Sequence, residues 1–209
     1  EDPEIEALLL PTLPFGVTRY AGAFPGALHI EEQTLYGLLT DVLRSLIGQG
    51  FQHTVIVNNH FEPEHVRTIH RAIDAVATET EVTTGYLDLT RRHRAERLTD
   101  EFREGGSHAG RYETSLVLAD NPGLIDAAVL RELPPVPVNL AEEIGGGCKD
   151  FVEMGLVRAY NGTPAEASAE EGEEIYGVLT EMLVSLVREL VAGTGGRDKP
   201  GRYGRVESR

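Results

Sequence analysis

The strongest constraint on the fold is a change of period repeated twice between residues 31 and 90. From Glu31 to Gly48 the apolar residues Leu35, Leu38, Leu39, Val42, Leu43, Leu46 and Ile47 recur at threes and fours, the pattern of an amphipathic helix, with Gly50 placed for a left-handed cap. "HTVIVN" then reads as a buried strand. Pro63 suits the first turn of a second helix that carries Val66, Ile69, Ile73 and Val76 on one side, and "VTTGYLDL" is a further strand. Strands separated by helices pair in parallel and are covered on both faces, so the chain is predicted to be α/β.

Further elements follow the same logic. Ala7–Leu10 reads as a short buried strand closed by Pro11, and "PTLPFG" as a stiff, shaped loop. "YETSLVLA" starts a helix that "NPGL" ends, and "ELPPVPVN" carries too many prolines for a central strand. A long helix is predicted after Ser168, with acids in its first turn and Ile175, Leu179, Leu183, Leu186 and Leu190 as its apolar stripe. We therefore expect one domain over 1–191 and a flexible tail over 192–209.

Charge narrows the partners. A formal charge of -15 disfavours a phosphate backbone, so no nucleic acid is expected, and no apolar run is long enough to suggest a membrane. The single cysteine, Cys148, has no partner for an internal disulfide, and no leader pattern precedes the fold, so a cytoplasmic location is the expectation. Cys148 also lacks a second Cys or nearby His for a zinc site and reads as a packing residue. Neither a nucleotide-binding glycine pattern nor a Gly-x-Ser-x-Gly elbow occurs.

Two clusters can carry chemistry. "NNHFEPEH" follows a predicted strand, where open α/β sheets gather ligands, and an extended backbone can aim His60 and Glu62 at one cation. Alternatively, Glu62 caps the helix that begins at Pro63 while His60 only hydrogen-bonds. His65 and His70 are five residues apart and read as surface or supporting groups. In "GGSHAGRYETS", small residues flank His108 and Glu113 follows near a helix start, which suits an acid or base beside a metal ligand. A flexible turn followed by a helix-terminal carboxylate is the other reading.

The segments "LLLPTLPFGV", "FPGALHI", "GFQHTVIVNNHFE", "SHAGRYETSLVLADNPGLI" and "GTPAEASAEEGEEIY" together resemble the creatininase (creatinine amidohydrolase) family, over nearly the whole chain. The resemblance implies a three-layer α/β/α sandwich with a mostly parallel sheet, a hexameric homo-oligomer, and a centre of one or two divalent ions (Zn, Mn or Fe) that hydrolyses small amides. It implies His60, Glu62 and Glu113 as metal ligands, Phe61 and Tyr112 as substrate-side residues, and His108 as the catalytic histidine. The cation would activate water and polarise the carbonyl, while His108, with a pKa near neutrality, would protonate the leaving nitrogen.

Three departures from the family pattern qualify this. The Glu-x-His-Gly and Thr-Asp segments that donate further ligands belong upstream of Glu1, so the site in this chain is expected to be incomplete. Tyr20 or Ala21 and Ala27 replace the family's His and Thr at the pocket entrance, and the chain has no Trp, which disfavours creatinine as substrate. The expected function is hydrolysis of a C–N amide bond in another small molecule, whether a formamide in flavin-type precursor synthesis or a peptide-derived cofactor precursor. A scaffold that kept the fold without catalysis is the alternative. The segment "LPPVPVNLA", lacking an evident internal strand partner, adds to the expectation of an oligomer.

Overall fold

A computed structural model describes residues 5–106 and 108–196. Helix α1 (Glu32–Gly48) leads into strand β1 (Thr54–Ile56), helix α2 (Pro63–Thr80) and strand β2 (Thr84–Tyr86). Short helices α3 (Arg92–Ala95) and α4 (Asp100–Arg103) precede α5 (Arg111–Asp120). After α6 (Ala127–Arg131) and α7 (Leu140–Gly146), α8 (Ala169–Val191) is the last regular element among the described residues.

The two strands pair in parallel, with Thr54 opposite Thr84, Val55 opposite Gly85 and Ile56 opposite Tyr86. Because side chains alternate across a strand, this register sends Ile56 and Tyr86 to one face and Val55 to the other. On the first face Leu35 and Leu39 of α1 and Val66, Ile69 and Ile73 of α2 close a core that also buries Val17. On the second, Val55 packs against a core of Leu87, Phe102, Tyr112, Leu116, Ile175, Met182 and Leu186. The result is the expected helix–sheet–helix layering.

Local signals explain the helix ends. Pro63 opens α2 at a position where its missing N–H is not needed, and Gly50 adopts φ 97 after α1, as its place in the sequence predicts. The Ser168 hydroxyl accepts from the Glu171 N–H to start α8. Helices α5 and α8 cross closely, and a side chain at Gly172 would overlap the Ser115 carbonyl. Arg111 and the Ser115 hydroxyl both meet the Glu171 carboxylate there, at 2.6 and 2.7 Å.

Not every expectation holds. Residues 7–10 form no strand, and Leu8, Leu9 and Leu10 are 74%, 96% and 60% exposed, because no neighbouring strand among the described residues pairs with this apolar run. Of the two readings of His65 and His70, surface or supporting groups, the surface one falls, since both are buried and hydrogen-bonded. His70 meets Asp88, which is fully buried, at 3.0 Å. The "ELPPVPVN" segment does have an internal partner, since Val136 and Gly162 form an antiparallel bridge with bonds of 2.9 and 2.7 Å. Most of the expected tail lies outside the described residues, and its described part, 192–196, turns back so that Gly196 approaches Leu190 and Gly85. Among the described residues no helix is long and apolar enough to cross a membrane.

Candidate active site

A cavity of about 70 Å³ opens where the turn after β1 meets the loop before α5. His60, Phe61, Glu62, His108 and Glu113 line it, together with Thr18, Tyr20, Asn59 and Phe151. Five of the six residues singled out in the sequence therefore share one wall system, although 48 residues separate His60 from His108. None of the lining residues is Lys or Arg.

The first wall is built from the β1 turn and the loop 16–20. Asn58 ties the turn together, donating to the His60 carbonyl at 2.8 Å and accepting from the His60 N–H at 3.3 Å. Four successive backbone N–H groups of the loop end on side chains. Val17 donates to His65 Nδ1 at 3.2 Å and Thr18 to His29 Nδ1 at 3.0 Å. Arg19 donates to both Glu62 oxygens at 2.8 and 2.9 Å, and Tyr20 to Oε2 at 3.4 Å. His60 Nε2 donates to the Val17 carbonyl at 2.7 Å, which leaves Nδ1 as the basic nitrogen of that ring. Gly16 is needed for this arrangement, because a Cβ there would stand 2.8 Å from the His65 ring.

Glu62 thus neither caps α2 with its side chain nor faces solvent. Burial pushes its carboxyl up to about 7, against the pull of the Arg19 and Tyr20 amides. Burial also lowers the His60 imidazole, opposed by its bond to Val17, and takes His65 down to about 4.

The second wall is the loop leading into α5. Here the ring of His108 lies 4.4 Å from that of Phe151, tilted by 34°. Burial, with the nearby His60 adding to it, lowers the His108 imidazole to about 4 despite a bond to the Ala159 backbone. His108 is therefore neutral at pH 7, which corrects the expectation of a near-neutral pKa. Glu113 reaches back from the first turn of α5 to accept from the Ala109 N–H at 2.6 Å, and burial pushes its carboxyl up to about 7. It is both the helix-terminal carboxylate and a lining group.

Phe61 lines the cavity and meets Phe102 edge to face at 5.2 Å. Tyr112 is not brought to the cavity. It is fully buried, and only its hydroxyl points that way, donating at 3.2 Å to Asn59. Cys148 packs in a small cluster around Phe151, Met154 and Leu156, with its thiol 3.2 Å from a Glu143 oxygen.

Two residues that sequence reasoning passed over shape the site. Asn59 lines the cavity and receives Tyr112. Asn161, fully buried, accepts from the His108 N–H at 3.2 Å and donates to the Val138 carbonyl at 2.6 Å, while its own N–H donates to the His108 carbonyl at 2.9 Å. The doubled Asn in "NNH" was a signal for the first. Nothing in "YNGTP" marks the second, because its partner is 53 residues away.

The chemistry of the donors fits a divalent cation. Two neutral imidazoles and two carboxyl groups, the latter raised by burial, face a space that no cationic side chain lines. Their number at one point falls short, since among the described residues no three His, Cys, Asp or Glu side chains converge as a metal site. A cation here would need His60, Glu62 or Glu113 joined by donors beyond those now convergent.

Comparison with known proteins places this arrangement. The family model described as creatinine amidohydrolase matches residues 2–187. A creatinine amidohydrolase of Pseudomonas putida is 27% identical over 212 residues, covering 88% of this chain and 75% of that protein. Among solved structures, a crystal structure of creatinine amidohydrolase superimposes with a TM-score of 0.64 at 24% identity, covering 88% of this chain and 75% of that one. A creatininase structure described with Mn gives a TM-score of 0.62 at 23% identity over 86% of this chain and 74% of that one, and another creatininase structure is described as of Zn-Zn type. With the match running through both walls of the cavity and both cores, the chain belongs to the creatininase family.

Proposed function

We propose that this chain is a metal-dependent amidohydrolase that cleaves a C–N amide bond in a small molecule other than creatinine. The observation that carries this reading is the single buried cavity wall system that joins His60 and Glu62 to His108 and Glu113. A divalent cation, when bound, supplies positive charge that polarises a carbonyl and ionises water near neutral pH. His60 through Nδ1, Glu62 and Glu113 are the groups of this chain that would hold it.

The other roles belong to the protein alone. Phe61, Phe151, Leu140 and Ile144 give the cavity an apolar side that excludes bulk water from the reacting group. His108 begins neutral, so it first takes a proton from the attacking water and then gives it to the leaving nitrogen. The small volume limits the reacting end of the substrate to an amide of a few heavy atoms, and the absence of Trp leaves no indole surface for a flat ring. A homo-oligomer belongs to the same proposal, supported by the exposed Leu8, Leu9 and Leu10. Sedimentation at micromolar concentration tests it, with a monomer as the contrary result.

A second reading, a non-catalytic scaffold, is favoured by one observation. His60 Nε2 and both Glu62 oxygens are engaged with the loop 16–20, and no three donors converge among the described residues. The deciding experiment is a panel of formamides and cyclic amides offered to protein loaded with Mn²⁺ or Zn²⁺, with His108→Ala as control. Turnover that falls by about 10²–10⁴-fold in the variant supports the enzyme. Loaded protein that cleaves none of the panel, or cleaves equally well without His108, supports the scaffold.

A further inference from the structure

Outside the cavity, the Glu101 carboxylate sits where three stretches of chain meet. Glu101 lies on α4, whose start is capped by Thr99 accepting from the Phe102 N–H at 3.3 Å. Its Oε2 accepts from the Tyr112 N–H, in the first turn of α5, at 2.8 Å. Its Oε1 accepts from the Thr163 N–H at 2.7 Å, and its own carbonyl accepts from Gly106 at 2.8 Å.

Three glycines make room for it. A Cβ on Gly106 would stand 2.6 Å from Glu101 Cγ, one on Gly110 would stand 2.8 Å from Oε2, and one on Gly162 would overlap the carboxylate. Gly106 and Gly110 beside His108 and the Gly of "NGTP" thus leave room for one side chain, and a Cβ on Gly110 would also stand 2.5 Å from the Asn161 carbonyl oxygen. The turn that Glu101 holds through Thr163 is the one from which Asn161 grips the His108 backbone on both sides. His108 is therefore fixed from both directions, by α5 behind it and by residues 161–163 beside it, and both attachments end on Glu101.

We infer that Glu101 is a positioning residue for His108: its carboxylate ties the start of α5 to the 161–163 turn and so sets where the imidazole stands in the cavity. A carboxylate suits this place because it accepts on both oxygens, whereas an amide of the same shape would turn an N–H toward one of the two donors. The inference rests on the proposed role of His108 only for its effect on turnover, and its test is read without substrate.

The test is the ¹³C–¹H signal of the His108 imidazole and the hydrogen exchange of the Tyr112 and Thr163 amides, in wild type, Glu101→Gln and Leu39→Ala. In Glu101→Gln the amide facing the new NH₂ group exchanges about 10-fold or more faster, and the His108 ring signal shifts or splits. Leu39→Ala, a core truncation in α1, lowers global stability but leaves the His108 signal in place. Should Glu101→Gln fail to fold, Glu101→Asp keeps the charge, is one methylene too short to reach both donors, and is read in the same way. A His108 signal unchanged in the Glu101 variant overturns the inference, even if turnover falls. A signal that moves equally in Leu39→Ala reduces Glu101 to general support and overturns it too. Protein that hydrolyses no amide at all refutes the proposed function and leaves this test standing.

Discussion

The two walls of the cavity differ in how far their lining side chains do the holding. On the first, the chemically capable side chains do the holding themselves, since His60 and Glu62 spend their bonds on the backbone of residues 17–20. On the second, Asn161 holds the backbone on both sides of His108, and the side chains add one backbone bond each, His108 to Ala159 and Glu113 to the Ala109 N–H. Strain follows the same division. The left-handed residues Ala109 (φ 48) and Ala159 (φ 58) lie on the second wall, whereas the first has no non-glycine residue at positive φ. On the proposed reading a cation would displace the Glu62 contacts of the first wall and the Glu113–Ala109 contact of the second, while Asn161 keeps the His108 backbone in place. If the proposed roles hold, the placement of His108 is fixed by backbone contacts, whereas metal affinity competes with the fold's own hydrogen bonds.

The largest effect should come from Asn161→Ala. It removes the acceptor of the His108 N–H and the donor to the half-buried Val138 carbonyl, so it should cost roughly 2–3 kcal/mol in denaturant unfolding. Exchange should quicken around His108 with that around Arg19 unaffected. Equal loosening of both loops would show that the walls are not independent.

Glu62→Gln probes the first wall and should cost about 1 kcal/mol at low pH, because the amide retains one acceptor for Arg19 and Tyr20. The sign with pH is definite. Burial raises Glu62 to about 7 in the folded protein, so its contribution is complete below its ordinary range near 4.5 and is lost as pH rises through 7. In metal-free protein the gap between wild type and Glu62→Gln should therefore narrow from pH 5 to pH 8. A gap that widens would mean the carboxylate is stabilised as an anion.

Smallest is Ala109→Gly, expected to raise stability by up to about 1 kcal/mol as the left-handed backbone is relieved. The same change should slow no exchange on the first wall. A loss of stability would show that the Ala109 methyl packs usefully and that the loop carries no strain.

Much of this was legible in the sequence where the signal is local. Helices α1, α2, α5 and α8 follow from apolar spacing and caps such as Pro63 and Ser168, and β1 and β2 from short β-branched runs. The clusters around His60 and His108 were visible as polar residues concentrated at element ends. What stayed hidden depends on contacts distant along the chain. The Ala7–Leu10 run reads as a strand by composition, but a strand needs a neighbour to pair with, and exposure of 96% at Leu9 shows that it has none among the described residues. Burial of His65 and His70 required Val17, Asn58 and Asp88 as partners, none of which their spacing announces. Tyr112 lies one residue from a lining group, yet the helix turns it into the core.

The most direct test of the division between the walls is the divalent metal content of purified wild type, His60→Ala and His108→Ala after saturation with Mn²⁺ or Zn²⁺ and removal of free ion. His60 is one of the three groups that would hold the cation, and losing one donor from so small a set should remove most of the bound metal. His108→Ala should retain the wild-type content. Metal lost from His108→Ala but kept in His60→Ala would contradict the assignment and exchange the roles of the two walls.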